Sequence, residues 1–134
     1  MSTHTTNSAQ DLLGMMRAGM GRVPAAIEKS TLVDDGLIQE HMRSRMYAMP
    51  KNGALTEETR TLIYLAAALA GSSPACVKAM SDKVALQGIA PEKVLETVHI
   101  VRFAMATKII GDAEPVFDAL IGAGGLADGA RPVG

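Results

Sequence analysis

Apolar residues along this chain recur at intervals of three and four, and no stretch shows the sustained alternation of a strand. Ser8 followed three residues later by Asp11 forms a capping pair, and Leu12, Leu13, Met15, Met16 and Met20 then supply one apolar face. A short amphipathic helix is expected there. Pro24 suits the first turn of a second helix through "AAIEKSTLV", and Asp34 or Asp35 can cap a third through "LIQEHMRSRMYAM" that Pro50 closes. "PKNGAL" reads as a turn. Thr56 caps a fourth helix, with Glu57 and Glu58 near the positive end of its dipole. The rest of that helix is nearly all apolar, which predicts a central position.

Gly71 ends the fourth helix, and Ser73 with Pro74 gives an N-cap followed by proline at the first helical position. This fifth helix runs to about Leu86, with Gly88 as its stop. Pro91 opens a sixth, through "EKVLETVHIVRFAMATKI" to Gly111, and Asp112 is expected to cap a last helix containing Phe117 and Leu120. The pattern predicts an all-α domain of six to seven helices with short loops. It is placed at residues 8–122, between a polar leader (1–7) expected to be disordered and a Gly-rich C-terminal tail (123–134).

Composition narrows the picture. A chain of 134 residues fits one domain, and a domain of that size buries roughly 68% of its unfolded surface. The only aromatics are Tyr47, Tyr64, Phe103 and Phe117, so packing rests on aliphatic contacts between helices, for which nine methionines are well suited. The formal net charge is −1 and the basic residues are scattered, which argues against nucleic acid as a partner. "MSTHTTNSAQ" lacks the basic-then-apolar order of a secretory signal, and the longest apolar run, "LIYLAAALA", is too short for a membrane span. A cytoplasmic protein without a membrane segment is expected. Cys76 is the single cysteine, which excludes an intramolecular disulfide and fits a reducing compartment.

With Ser73 as N-cap, Cys76 is the third helical residue, where the dipole and free backbone N–H groups favour a nucleophilic thiolate. The plainer reading is a thiol packed as a small hydrophobe. His99 follows Glu96 by three residues, the spacing of helical carboxylate–histidine metal sites, but those need a second such pair and two further glutamates. No metal is therefore expected. His99 can instead act as a general acid or base, or sit half-buried beside the Val94, Val98, Val101 and Met105 stripe. Arg102 borders the same face and could hold a carboxylate, a solvated arginine being the alternative. His41, Arg43 and Arg45 read as a solvated helix face, and His4 falls in the leader.

The stretch "LTEETRTLIYLAAALAGSSPACVKAMSDKVALQGIAPEKVLETVHIVRFA" resembles the carboxymuconolactone decarboxylase family, which includes the alkyl hydroperoxidase D-like proteins. The resemblance spans roughly residues 54–120. It rests on Leu-Thr-x-x-Thr-Arg opening an Ala-rich helix, a small-residue turn, a cysteine-bearing helix, a "GIAPEKVLE" turn and a further apolar helix. Redox members carry a Glu, eleven residues, Cys-x-x-Cys, three residues and a His. Those positions here hold Thr61, Ser73, Cys76 and Met80. The dithiol pair is thus reduced to one cysteine and the Glu/His relay is replaced.

The resemblance implies an all-α fold assembled as homotrimers or homohexamers, with pockets at or near subunit contacts. It also implies a cofactor-free enzyme that works by acid/base chemistry on a small organic substrate of the lactone or unsaturated-acid kind. Cys76 and His99 would be its catalytic groups, and Arg102, Thr61, Ser73, Met80 and Tyr64 would border the substrate. A thiol-dependent, peroxiredoxin-type reduction of hydroperoxides by Cys76 alone is the second reading, passing through a sulfenic acid and an outside thiol. The third is a helical scaffold or ligand-binding module without catalysis.

Overall fold

The computed structural model describes residues 8–124; the leader (1–7) and residues 125–134 of the Gly-rich tail lie outside the described residues. Seven helices follow one another: α1 (Ala9–Met20), α2 (Ala25–Val33), α3 (Asp35–Ala48), α4 (Glu57–Ala70), α5 (Pro74–Gln87), α6 (Pro91–Asp112) and α7 (Glu114–Gly122). No strand occurs among the described residues. The all-α expectation holds. No helix among them is long and apolar enough to cross a membrane.

Most helix boundaries follow from the capping residues. Ser8 Oγ accepts the Asp11 N–H at 3.2 Å while Asp11 Oδ2 accepts the Ser8 N–H at 3.3 Å, a reciprocal capping box. Asp34 Oδ1 accepts the Gly36 N–H at 2.8 Å, and Thr56 Oγ1 accepts the Thr59 N–H at 3.2 Å. Pro24 sits one position earlier than expected, as the N-cap of α2. Gly71 ends α4 with an ordinary negative φ, and the left-handed residue of the turn is Ser72 at φ 53°. That conformation costs a non-glycine residue about 1–2 kcal/mol. Here the Ser73 N–H bond to the Ala68 carbonyl, at 3.0 Å, closes the turn.

The last boundary corrects the sequence reading. Asp112 does not cap α7 but ends α6, where its carboxylate pairs with Lys108 one turn back. Ala113 keeps a helical backbone (φ −83°, ψ −1°). The break comes from Pro115, which has no N–H to continue the ladder and suits the first turn of the next helix.

The described chain divides into two compact units, one up to Thr97 and one from Val98. In the first, α1 packs on α3 and α5, α2 on α3, and α4 on α5. One apolar cluster joins Leu12, Leu13 and Met16 of α1 to Ile38 and Met42 of α3. Another joins Leu65 of α4 to Ala79 and Met80 of α5, with Val94 at the start of α6 against it. Met20 packs against both clusters, so the first unit has a continuous apolar interior. Burying each large aliphatic side chain stabilises the fold by roughly 1.5–3 kcal/mol.

Polar contacts fix the helix registers in this unit. Arg22 Nε meets Asp82 Oδ2 at 2.5 Å, tying the α1–α2 connection to α5. Lys93 Nζ meets Glu58 Oε1 at 2.5 Å, tying the start of α6 to α4. The second unit comprises the rest of α6 and all of α7. Neither helix contains a buried side chain, and Phe103, Ile109, Ile110 and Ile121 are each more than 60% exposed.

Candidate functional site

Helical spacing places Cys76, Met80 and Lys83 on one face of α5, at i, i+4 and i+7. Cys76 is half-buried, and Met80 and Lys83 are buried. Across from them on α4, Tyr64 sits one turn after Thr61 and points its hydroxyl at the thiol, with Oη 3.6 Å from Cys76 Sγ. These side chains wall a cavity of about 450 Å³. Met16 and Met20 of α1 and Ile27 of α2 supply apolar lining, while His41 and Arg45 of α3 and Met49 at its C-cap close it. The entire lining comes from the first unit.

A second cavity, of about 580 Å³, lies against the turn between α3 and α4. Its lining carries Arg45, Lys51, Arg60 and Lys83 with Glu57 as the one acid, so it is cationic. Arg60 is partly engaged, since Nη1 donates to the Leu55 carbonyl at 2.7 Å. Arg45, Met49 and Lys83 line both cavities. The apolar space and the cationic one therefore meet at the two basic residues.

The electrostatics follow from this placement. The hydrogen bond with Cys76 raises the Tyr64 phenol above its ordinary value; burial and the charge of Cys76 act in the same sense, against a smaller opposing effect of Arg45. Lys83 is only 7% exposed, and no described residue hydrogen-bonds to or pairs with its ammonium. Burial lowers its pKa, the positive charges of Arg45 and Arg60 add to the effect, and Glu57 opposes it. Among the described residues no group of three or more His, Cys, Asp or Glu side chains is placed to share a metal ion.

No family model and no curated protein matches the chain. What the site can do is therefore read from its own groups. An apolar cavity with a thiol and a phenol in hydrogen-bonding contact can move a proton at a bound molecule. An arginine at its junction with a cationic space can hold a carboxylate. Together they suit a small organic anion with an apolar body.

The sequence-expected residues separate into three groups. Cys76, Tyr64 and Met80 come together in the apolar cavity. Thr61 and Ser73 line neither cavity. Thr61 is 1% exposed, and its hydroxyl donates to Gln87 Oε1 at 2.9 Å, with the Glu57 carbonyl at 3.1 Å. Its polar group is committed to holding α4 against the end of α5. Ser73 occupies the N-cap position of α5, but its side chain makes no capping bond. His99 and Arg102 are exposed residues of α6 that belong to the second unit.

Arg45, Lys83 and His41 are the site residues that the sequence reading did not select. Arg45 and His41 lie on a polar stretch whose spacing reads as a solvated face. Lys83 carried a usable signal, since it lies seven residues after Cys76 with Met80 between them. A lysine on the same helical face as a candidate thiol and a buried methionine faces the same space.

Proposed function

We propose that the first unit is a cofactor-free acid/base site for a small organic acid of the lactone or unsaturated-acid kind. This is the activity implied by the resemblance to the carboxymuconolactone decarboxylase family, now assigned to first-unit residues. The observation that carries it is the 3.6 Å contact of Tyr64 Oη with Cys76 Sγ on the wall of an apolar cavity that Arg45 also lines. Arg45, whose planar guanidinium fork matches a carboxylate, anchors that group and leaves the apolar body among Met16, Met20 and Met80. A proton can pass along the Tyr64–Cys76 hydrogen bond in either direction. The pair can therefore take a proton from one substrate atom and return it to another.

Turnover of the purified protein on a panel of lactones and unsaturated acids tests this reading. Y64F and C76S are each expected to lower kcat by about 10²–10⁴-fold, the usual worth of a general acid or base. R45M is expected to raise KM. Turnover unchanged in both Y64F and C76S overturns the mechanism.

Assembly into homotrimers or homohexamers, in a cytoplasmic setting that keeps Cys76 reduced, belongs to the same proposal. Its support is the single cysteine of the chain and the exposed apolar residues of α6 and α7.

A further inference from the structure

We propose that Lys83 is a nucleophilic amine that condenses with the carbonyl of a small oxo acid, which the site then holds as a covalent imine. The proposal rests on the reading of the cavity as a site for small organic acids, and it narrows their class to those with a ketone or aldehyde carbon. A lysine can act this way when its nitrogen is uncharged, and proteins achieve that by desolvation or by a neighbouring cation. Lys83 has both. It is more than nine-tenths buried, and no described residue pairs with its nitrogen. The charged groups about it are Arg45 on α3 and Arg60 and Glu57 on α4, with Lys51 on the intervening turn. Three cations and one acid disfavour a further positive charge at this point.

Geometry supplies the remaining requirements. Lys83 stands where the apolar and cationic cavities meet, so an oxo acid can lay its carbon body beside Met80 and Tyr64 and its carboxylate at Arg45. That placement brings its carbonyl to the junction that Lys83 lines. The lone pair of Nζ attacks the carbonyl carbon, the carbonyl π pair moves onto oxygen, and a proton shifts from nitrogen to that oxygen. The carbinolamine next loses its hydroxyl with one proton, as water, and the C=N bond forms. Tyr64, in the same cavity, can supply the proton for the departing hydroxyl and take the nitrogen-bound proton in its place as the C=N bond forms. One water is released and nothing is oxidised or reduced.

Other lysines provide an internal control. Lys78 pairs with Asp82 at 2.9 Å, Lys93 pairs with Glu58 at 2.5 Å, and Lys29 and Lys51 are exposed. The experiment incubates the full chain with pyruvate or 2-oxohexanoate and sodium cyanoborohydride, which reduces the imine to a stable secondary amine. Peptide mass mapping then locates the adduct. Lys83 is expected to be labelled at least about tenfold faster than Lys29 or Lys51, with the preference abolished in denatured protein and reduced in R45M. Labelling of Lys83 no faster than of Lys29 and Lys51 overturns the proposal, and because this comparison uses the unaltered protein it does not depend on any variant folding. The Y64F and C76S assays fail independently. An unlabelled Lys83 with turnover sensitive to those changes sinks the imine alone, and a labelled Lys83 with insensitive turnover sinks the Tyr64–Cys76 mechanism alone.

Discussion

Tyr64 Oη lies 3.6 Å from Cys76 Sγ, a contact that joins α4 to α5 at the wall of the apolar cavity. It raises the phenol above the ordinary tyrosine value. The stability contributed by this shift is therefore present below the unfolded value of about 10 and is lost as pH rises through the folded one. Near-ultraviolet tyrosinate absorbance is expected to show a phenol titrating above about 10 that vanishes in Y64F and moves back toward 10 in C76A. A titration unchanged in C76A would show that the thiol does not hold the phenol proton.

Lys83 gives the opposite sign. Its folded pKa lies below the unfolded lysine value because burial and Arg45 disfavour the ammonium. Between the lowered value and about 10.5 the unfolded chain binds more protons, so stability climbs with pH across that window, and the full penalty is felt below it. K83M is expected to be more stable at neutral pH, because the desolvation and the repulsion from Arg45 that disfavour the ammonium disappear with it. Denaturant unfolding at several pH values measures this. The variant's curve is expected to lack the alkaline climb.

Thr61 separates a structural role from a substrate-binding one. Its hydroxyl spans α4 to Gln87 near the end of α5, and Gln87 Nε2 reaches Glu57 Oε1 at 3.2 Å. T61V leaves Gln87 Oε1 without its buried donor and is expected to cost about 1–3 kcal/mol of stability. The KM for any substrate of the cavity is expected to stay put, because Thr61 lines neither cavity. A shifted KM with unchanged unfolding would return Thr61 to the substrate site.

Arg22 and Lys78 converge on the Asp82 carboxylate, at 2.5 and 2.9 Å. Their hydrogen bonds hold its pKa below the ordinary aspartate value, that of Arg22 most strongly. The stabilisation is present above the unfolded value of about 3.9 and is lost as pH falls through the folded one. D82N is expected to lower Tm at neutral pH, with the difference from the parent closing in acid. A constant difference across that range would mean that the charge is irrelevant.

What could be read from sequence divides by the range of the interaction. Caps such as Ser8, Asp34 and Thr56 act within one turn, so the residues that specify them are adjacent in the chain. The Asp112 boundary went astray because a second local option, the Lys108 pair, competes for the same carboxylate. Cys76 was legible from its place in the first turn after Ser73, and Met80 entered only as the residue at the position of the family's histidine. Tyr64 reached the candidate list through the family resemblance. Arg45 was not, since its neighbours His41 and Arg43 are polar and its exposure is decided by what α4 and α5 place beside α3. Lys83 is the same case seen from α5: its burial is a property of the assembled helices, and only its seven-residue spacing from Cys76 hinted at it.

The second unit makes the last prediction. A helix apolar around much of its circumference is ordinarily buried. Along α6, Ile100, Phe103, Ile109 and Ile110 are all at least 60% exposed, and Phe117, Leu120 and Ile121 of α7 are at least 45% exposed. Each such side chain transferred from water gains roughly 1.5–3 kcal/mol, so burying most of them together can outweigh the translational and rotational cost of association. Further copies of the chain are the cover that the family resemblance implies. Light scattering on the intact protein is expected to report a mass of three or six chains, and F103E with I109K is expected to shift it to one. The Tyr64 and Lys83 titrations should survive that change, because both residues belong to the first unit. A protein monomeric before substitution would leave those apolar residues without the proposed role.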